Sequence, residues 1–174
     1  MAEKTNRGLI QIYTGDGKGK TTAALGLAIR ATGHGMKVGF IQFIKSELCG
    51  EHFFASRYHP FDIIQMKTGD RAGKLQEQLG DEAQRTLAYA EEQMLSGRYD
   101  VLILDEIFVA IHKKLITTGQ VLALLEKKPE SVELVLTGRY APAKVIERAD
   151  LVTEMRMIKH PFHQGIAARR GIEY

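Results

Sequence analysis

The sequence predicts an α/β protein with a mostly parallel sheet that carries helices on both faces. Short apolar runs alternate with segments of helical periodicity along the chain, as they do where strand–helix–strand units build a parallel sheet. The run at residues 101–104 is continuously apolar and bounded by acids, which is typical of a strand buried on both faces. The length of 174 residues favours a single domain spanning residues 1–174.

In the first half of the chain, a strand is expected at residues 9–13, followed by a glycine-rich turn. A helix then runs from Lys20 to about residue 31, since glycines stand just beyond it, where helices usually end. Two further strands are expected at residues 38–44 and 61–66. Residues 45–60 and 67–80 show neither helical nor strand periodicity and are predicted to be loops over the active face.

In the second half, alanine, leucine and methionine recur at helical spacing through a long helix expected at residues 81–95. The remaining elements alternate in the same way, with strands at 101–104, 132–137 and 151–155 and helices at 108–126 and 143–148. The chain contains no internal repeat, low-complexity tract or linker, which again favours one domain.

Composition excludes several classes of protein. The net charge of +3, from 24 Lys and Arg against 21 Asp and Glu, is too mild to indicate nucleic-acid binding. No signal peptide is visible, and no uncharged apolar stretch approaches the ~18 residues that a membrane span needs. The single cysteine, Cys49, cannot form an internal disulfide or build a zinc site by itself. We therefore expect a cytoplasmic protein with neither nucleic-acid nor membrane partners.

The strongest motif is Thr-Gly-Asp-Gly-Lys-Gly-Lys-Thr at residues 14–21, hereafter the phosphate loop, between the first strand and the first helix. Its glycines allow backbone N–H groups to converge on an anion, and the helix N-terminus adds positive potential. Lys20 supplies a cation to the outer phosphates, and the Thr21 hydroxyl is placed to ligate a phosphate-bound Mg²⁺. The general pattern has Gly where this chain has Thr14, and the alternative is a glycine-rich turn without a ligand.

Two acids, Asp105 and Glu106, follow the buried strand. Carboxylates at the C-terminal end of a parallel strand point into the crevice where such folds bind ligands. Beside a phosphate loop, an Asp there usually holds Mg²⁺ directly or through water, whereas the alternative is a helix N-cap. Arg139 follows the strand at 132–137 and reaches the same edge, where it either clamps phosphate or is a surface arginine.

The nucleotide is expected to be ATP. A GTPase normally carries Asn-Lys-x-Asp to recognise guanine, and the one asparagine of this chain is Asn6.

Five blocks, at residues 13–24, 104–107, 136–139, 149–155 and 171–174, together resemble the P-loop-type ATP:corrinoid adenosyltransferases. The resemblance spans about residues 8–174, and the blocks at 136–139 and 149–155 are more specific than the phosphate loop. It implies a RecA-like P-loop NTPase fold and a homodimer. It also implies transfer of the 5′-deoxyadenosyl group of ATP to the Co(I) centre of a reduced corrinoid, with release of triphosphate, in adenosylcobalamin biosynthesis or salvage.

Carried over by position, the resemblance implies roles for particular residues. The metal, Mg²⁺ or Mn²⁺, is expected near Thr21, Asp105 and Glu106, with the two acids near the metal or the ribose. Lys20 and Glu106 are the expected catalytic residues. An electron-donating reductase is an expected partner. The residues expected to bind ATP are Gly15, Asp16, Gly17, Lys18, Gly19, Lys20, Thr21, Thr22 and Arg139.

The chain departs from the family at residues 66–74. Many members carry a Gly-x-Gly-Phe-Thr-Trp-like block there, whereas this sequence reads Met-Lys-Thr-Gly-Asp-Arg-Ala-Gly-Lys and has no tryptophan. Aromatic side chains in that block are thought to help strip the lower axial ligand from the corrinoid. The aromatic residues available for this role in the preceding segment are Phe53, Phe54, Tyr58 and Phe61.

Two other functions are compatible with the phosphate loop. The first is an ATPase or kinase-like enzyme that acts at the γ-phosphate, in which Glu106 would orient a water. The second is a non-catalytic binding module that ATP orders without turnover. The blocks at residues 136–139, 149–155 and 171–174 favour the transferase, since they have no place in a kinase pattern.

Overall fold

Six parallel strands form one sheet in the computed structural model, which describes residues 7–45, 47–66 and 76–174. Their order across the sheet is β3-β2-β4-β5-β1-β6, so β4 and β5 lie at its centre next to β1. All the strand pairs are parallel, and their carboxyl ends therefore meet at one edge. The strands are β1 (Ile10–Thr14), β2 (Val38–Gln42), β3 (Asp62–Gln65), β4 (Val101–Asp105), β5 (Glu133–Thr137) and β6 (Leu151–Glu154).

The segments between the strands are largely helical. The helices are α1 (Lys20–Gly33), α2 (Gly50–Tyr58), α3 (Gln76–Leu95), α4 (Ile107–His112), α5 (Thr118–Glu126) and α6 (Ala143–Ile146), and a 3₁₀ turn covers Pro161–Gln164. The alternation places helices on both faces of the sheet and confirms the predicted fold class.

The two faces of β4 pack into two different apolar layers, because successive side chains of a strand point to opposite sides. Val101 and Ile103 belong to a cluster with the buried alanines of α1, including Ala28. Leu102 and Leu104 belong to the larger cluster on the opposite face, which includes residues of α3, α4 and α5. Burial on both faces explains why β4 is the apolar run that the sequence makes most obvious.

The prediction of a loop at residues 45–60 is wrong, because α2 lies within it. The helix shows almost no apolar stripe, and Ala55 is the residue that it buries. Its N-terminus is instead fixed locally: the backbone N–H of Cys49 donates to His52 Nδ1 at 2.9 Å, in a capping box. A helix stabilised by its cap rather than by an apolar face gives no periodic signal.

Two helix boundaries also differ from the prediction. α3 begins at Gln76 rather than near residue 81, so residues 76–80 of the predicted loop at 67–80 are helical, and the rest of that prediction lies outside the described ranges. The single helix predicted at 108–126 is two helices, because Lys114 adopts a left-handed conformation with φ 57°. α5 then begins after its N-cap residue Thr117, whose hydroxyl accepts from the Gln120 N–H at 3.2 Å.

In the described part of the chain, no helix combines the length and the apolar character that crossing a membrane would require.

Replacing Leu102 by Ala is expected to lower the free energy of unfolding by about 2–5 kcal/mol, because it opens a cavity in a close-packed layer. Leu102 is fully buried, at 0% exposure. Leu95→Ala is the matched control: this side chain is 50% exposed, and its loss should change stability by no more than about 0.5 kcal/mol. Urea unfolding measures both, and equal losses would contradict the assignment of the core.

Candidate active site

The phosphate loop joins β1 to α1 at the carboxyl edge of the sheet. Thr14 is the last residue of β1, and its hydroxyl accepts a hydrogen bond from the Ala141 N–H at 3.3 Å. The turn itself is made by Gly15 and Gly19, whose φ angles of 97° and 125° favour glycine. Thr14 therefore replaces the usual first glycine at a position where the chain is still a strand.

The loop is packed against the segment that leaves β6. Gly17 N–H donates to the Met155 carbonyl at 2.7 Å, and Met155 N–H donates to the Thr14 carbonyl at 2.8 Å. A Cβ on Gly15 would lie 2.4 Å from the Met155 oxygen, and one on Gly17 would lie 2.7 Å from it. The Asp16 carboxylate also accepts from the Met157 N–H at 3.1 Å. Two blocks that are far apart in sequence are thus joined by three backbone and side-chain hydrogen bonds.

The ammonium group of Lys20 lies inside the loop. Its Nζ donates to the carbonyls of Gly15 and Gly17, each at 2.7 Å, and the residue is only 7% exposed. Burial lowers the pKa of Lys20, while the carboxylate of Glu106 acts in the opposite direction. A cation held by two neutral carbonyls can exchange them for anionic phosphate oxygens, which form stronger hydrogen bonds.

The carboxylate of Asp105 is fully buried and tied to three elements around it. Its Oδ1 accepts from the hydroxyls of Thr21 at 2.9 Å and Thr137 at 2.7 Å. Its Oδ2 accepts from Gln42 Nε2 at 3.2 Å. Burial raises the pKa of Asp105, and the hydrogen bonds from Thr137, Thr21 and Gln42 oppose that shift, as does the positive charge of Lys45.

Glu106 begins the turn into α4 with a left-handed φ of 62°, a conformation that is uncommon for a residue with a side chain. Its backbone N–H donates to Thr137 Oγ1 at 2.9 Å. The residue occupies the N-cap position, but its side chain makes no capping hydrogen bond. Burial, and then the neighbouring charge of Asp105, raise the pKa of Glu106, whereas Lys20 lowers it.

The donor set of this edge suits a hard divalent cation. The Thr21 hydroxyl and the Asp105 carboxylate lie within 2.9 Å of each other, and Glu106 adds a second carboxylate next to them in the chain. Hydroxyl and carboxylate oxygens are the ligands that Mg²⁺ and Mn²⁺ prefer. The three residues expected at the metal are therefore brought to one place.

Two clefts flank the phosphate loop. The first, of about 530 Å³, contains Thr22, Phe54 and Glu106 in its lining, together with residues 171–174. The second, of about 600 Å³, is lined by Gly15, Asp16, Arg139 and six other residues. Thr22 and Arg139, both predicted to bind ATP, thus line different clefts.

Lys18 points away from the loop in this structure. Its Nζ donates to the Ile172 carbonyl at 3.1 Å and forms an ion pair with Glu173 at 2.9 Å. Glu173 also accepts from the backbone N–H and the guanidinium of Arg169, and these bonds hold its pKa at about 2. Lys18 therefore links the loop to residues 171–174 rather than lying over the phosphate position.

A third and larger cavity, of about 630 Å³, lies beside β3 between α2 and α3. It contains none of the residues predicted to bind ATP or metal, so we place the site at the loop, where the charged groups converge. Of the aromatic residues proposed for corrinoid contact, Phe54 lines the first cleft, Phe53 lines this third cavity, and Phe61 lines both. Tyr58 is exposed and packs on Phe54 with ring centroids 5.1 Å apart. Residues 67–74 of the divergent block lie outside the described ranges.

Sequence reasoning missed Gln42, Lys45 and Thr137 at this edge. Thr137 lies in the block at residues 136–139, but its role depends on β4 and β5 being neighbours. Lys45 pairs with Glu51 of α2 in the wall of the first cleft. Gln42 is the last residue of β2 and interrupts the apolar run at residues 38–44, and that interruption was the available signal.

Comparison with known proteins identifies relatives along the whole chain. The family model described as ATP:corrinoid adenosyltransferase BtuR/CobO/CobP matches residues 6–174. A corrinoid adenosyltransferase of Sinorhizobium sp. is 40% identical, over 100% of this chain and 84% of the relative. One of Pseudomonas aeruginosa is 37% identical, over 98% of this chain and 86% of the relative.

Among solved structures, a KaiC-like protein from Pyrococcus horikoshii superposes with a TM-score of 0.60, over 88% of this chain and 75% of that one. At 16% sequence identity this likeness concerns the fold alone, and it confirms the predicted RecA-like P-loop architecture.

Gly17→Ala is expected to weaken nucleotide binding by roughly 10-fold or more, since each hydrogen bond from a loop amide to a charged acceptor contributes about 1.5–3 kcal/mol. The added Cβ would meet the Met155 oxygen at 2.7 Å and displace the loop. Gly26→Ala in α1 is the control, because its Cβ would meet nothing within 4 Å. Titration calorimetry with ATP measures both, and unchanged affinity in Gly17→Ala would contradict the role of the loop.

Glu106→Gln is expected to stabilise the nucleotide-free protein at neutral pH. Because the folded-state pKa is raised, the native protein binds more protons than the unfolded chain, and wild-type stability falls as pH rises above the ordinary Glu value of about 4.3. Glu106→Gln cannot ionise and does not lose stability in this way. Its Tm should therefore equal that of the wild type near pH 4 and exceed it at pH 7. Glu92→Gln, on the exposed side of α3, is the control. A pH-independent difference in Tm would refute the burial argument.

Proposed function

Since this chain belongs to the ATP:corrinoid adenosyltransferase family, we propose that it joins the 5′-deoxyadenosyl group of ATP to the Co(I) centre of a reduced corrinoid and releases triphosphate. Family membership confirms the resemblance and makes the protein an enzyme of cobalamin biosynthesis or salvage. The observation that carries the proposed site is the convergence of Lys20, Asp105 and Glu106 at one edge of the sheet, beside a glycine loop fixed by Met155.

The reaction requires little acid–base catalysis by the protein. The electron pair of Co(I) forms the new bond to C5′, the C5′–O5′ bond breaks, and its electron pair leaves on triphosphate. Cobalt is thereby oxidised formally to Co(III). The strong nucleophile belongs to the corrinoid, so the protein has to orient ATP, exclude water and cover the charge of the leaving group.

We assign the triphosphate to the phosphate loop. The loop amides and the Lys20 ammonium would hold the phosphate oxygens, with Lys20 giving up its two carbonyl partners. Lys18 would contribute a second positive charge after leaving Glu173. Arg139 lines the same cleft as Gly15, and its guanidinium would bind anionic oxygens there.

Thr21, Asp105 and Glu106 would hold Mg²⁺ or Mn²⁺ at the adjoining edge. When bound, such an ion supplies positive charge to the departing triphosphate. The raised pKa of Glu106 fits this role, because a cation would compensate two adjacent buried carboxylates that repel each other.

The first cleft is the proposed location of the corrinoid edge that faces ATP. Phe54, which is 41% exposed, and the largely buried Phe61 line this cleft together with Thr22 and Glu106. They would act in place of the Phe-Thr-Trp-like block that this sequence lacks.

We further propose a homodimer, an electron-donating reductase as partner and a cytoplasmic location. The dimer is supported by β6, an edge strand whose Leu151 and Val152 are 40% and 42% exposed. The unpaired Cys49 is compatible with a reducing compartment.

Product analysis tests the proposal. The enzyme is incubated without oxygen with ATP and chemically reduced corrinoid, and the phosphates are separated by anion-exchange chromatography. Triphosphate is expected in step with the light-sensitive Co–C bond, because attack at C5′ keeps all three phosphates together.

Omission of corrinoid should abolish triphosphate release. In Lys20→Ala, turnover should be lost while circular dichroism stays unchanged, because a charge-assisted phosphate contact typically contributes about 1.5–3 kcal/mol. ADP formed at a comparable rate without corrinoid would instead show an enzyme acting at the γ-phosphate.

A further inference from the structure

Gln42, at the end of β2, connects the buried Asp105 carboxylate to side chains outside the phosphate loop. The residue is 2% exposed, and its Nε2 donates to Asp105 Oδ2 at 3.2 Å. Its Oε1 lies 2.7 Å from His52 Nε2 of α2 and accepts from Gln65 Nε2 of β3 at 2.9 Å. One buried amide thus links β4, where the metal-side acid lies, to α2 and β3.

The direction of each hydrogen bond between Asp105, Gln42 and His52 follows from which atoms can donate and which can accept. A carboxylate oxygen accepts, so the amide nitrogen of Gln42 faces Asp105 and its oxygen faces His52. An amide oxygen also accepts, so His52 donates to Gln42 in the tautomer that carries the proton on Nε2. In the same tautomer His52 Nδ1 accepts the Cys49 N–H at 2.9 Å, which caps α2.

Gln65 completes the constraint on Gln42. Its Nε2 also lies 2.7 Å from His52 Nε2, so the Gln42, His52 and Gln65 side chains form one polar cluster. Two donors fill both lone pairs of the Gln42 oxygen, so a rotation of this amide would leave buried polar groups unpaired.

Oδ2 is the end of the Asp105 carboxylate that the two threonines do not hold. Thr21 and Thr137 both donate to Oδ1. Rotation of the carboxylate about its last bond is therefore opposed at Oδ2 by Gln42.

We propose that Gln42, locked by His52 and Gln65, is a positioning residue that orients Asp105 for the metal–ATP complex and couples α2 to the phosphate site. The inference rests on the proposed role of Asp105 at the metal. α2 also carries Phe54 and Glu51 in the wall of the first cleft, so a displacement of this helix would reach Asp105 through His52 and Gln42.

The test measures metal affinity separately from catalysis. Free Mn²⁺ is followed by electron paramagnetic resonance during titration of the protein with ATP present, and ATP binding in EDTA is measured by calorimetry. Gln42→Met is close to isosteric but cannot donate to Asp105. It should weaken Mn²⁺ binding about 10-fold, the scale for residues that orient a metal ligand, and leave ATP binding in EDTA unchanged.

Two variants of His52 separate positioning from helix capping. His52→Gln keeps a donor near the Nε2 position, whereas His52→Asn keeps an acceptor near the Nδ1 position and loses the donor. Positioning predicts that His52→Gln retains Mn²⁺ affinity and His52→Asn loses it. Capping of α2 alone predicts the opposite order and would overturn the inference.

His59→Asn is the matched control. It changes another histidine at the end of α2, in a left-handed conformation (φ 48°) that Asn tolerates, and should leave Mn²⁺ affinity unchanged. Thermal unfolding verifies that each variant is folded, and the half-buried His52 carries the test if Gln42→Met does not fold.

Asp105→Asn distinguishes this inference from the proposed function. Weakened Mn²⁺ binding in Asp105→Asn with normal binding in Gln42→Met overturns the inference alone. Normal Mn²⁺ binding in Asp105→Asn overturns the metal role on which it rests.

Discussion

The buried carboxylate of Asp105 is the constraint on which the rest of the site depends. A carboxylate removed from water is unfavourable unless donors surround it, and here the donors come from α1, β5 and β2. Each donor fixes an element relative to β4, so a single group determines how four parts of the fold meet. Because the hydroxyls that satisfy the acid belong to Thr21 and Thr137, the same contacts align the start of α1 with the end of the central strands.

A second constraint acts on the backbone rather than on side chains. The carbonyl of Met155 approaches Gly15 and Gly17 so closely that a methyl group at either glycine would overlap it. This contact ties the phosphate loop to the edge strand β6, which is otherwise exposed along its length. The loop is therefore shaped by contact with a strand that enters the sheet about 140 residues later in the chain.

The features predicted from the sequence are those that depend on local pattern. β4 and the phosphate loop could be predicted, because a continuous apolar run indicates a strand buried on both faces and clustered glycines before a helix indicate phosphate binding. α2 was missed because its N-terminus is fixed by His52 and its one buried residue is Ala55. Gln42 was missed because a glutamine in a strand has no motif, and its role appears only when β2 lies beside β4.

The contact between Lys18 and residues 171–174 has a practical consequence for handling the protein. The segment forms part of the wall of the cleft beside Thr21 and Thr22 and is tethered through Glu173. Any peptide appended after Tyr174, such as a purification tag, would begin in the wall of that cleft. Arg7, by contrast, leads into β1 at the amino edge of the parallel sheet, whereas the phosphate loop lies at the carboxyl edge.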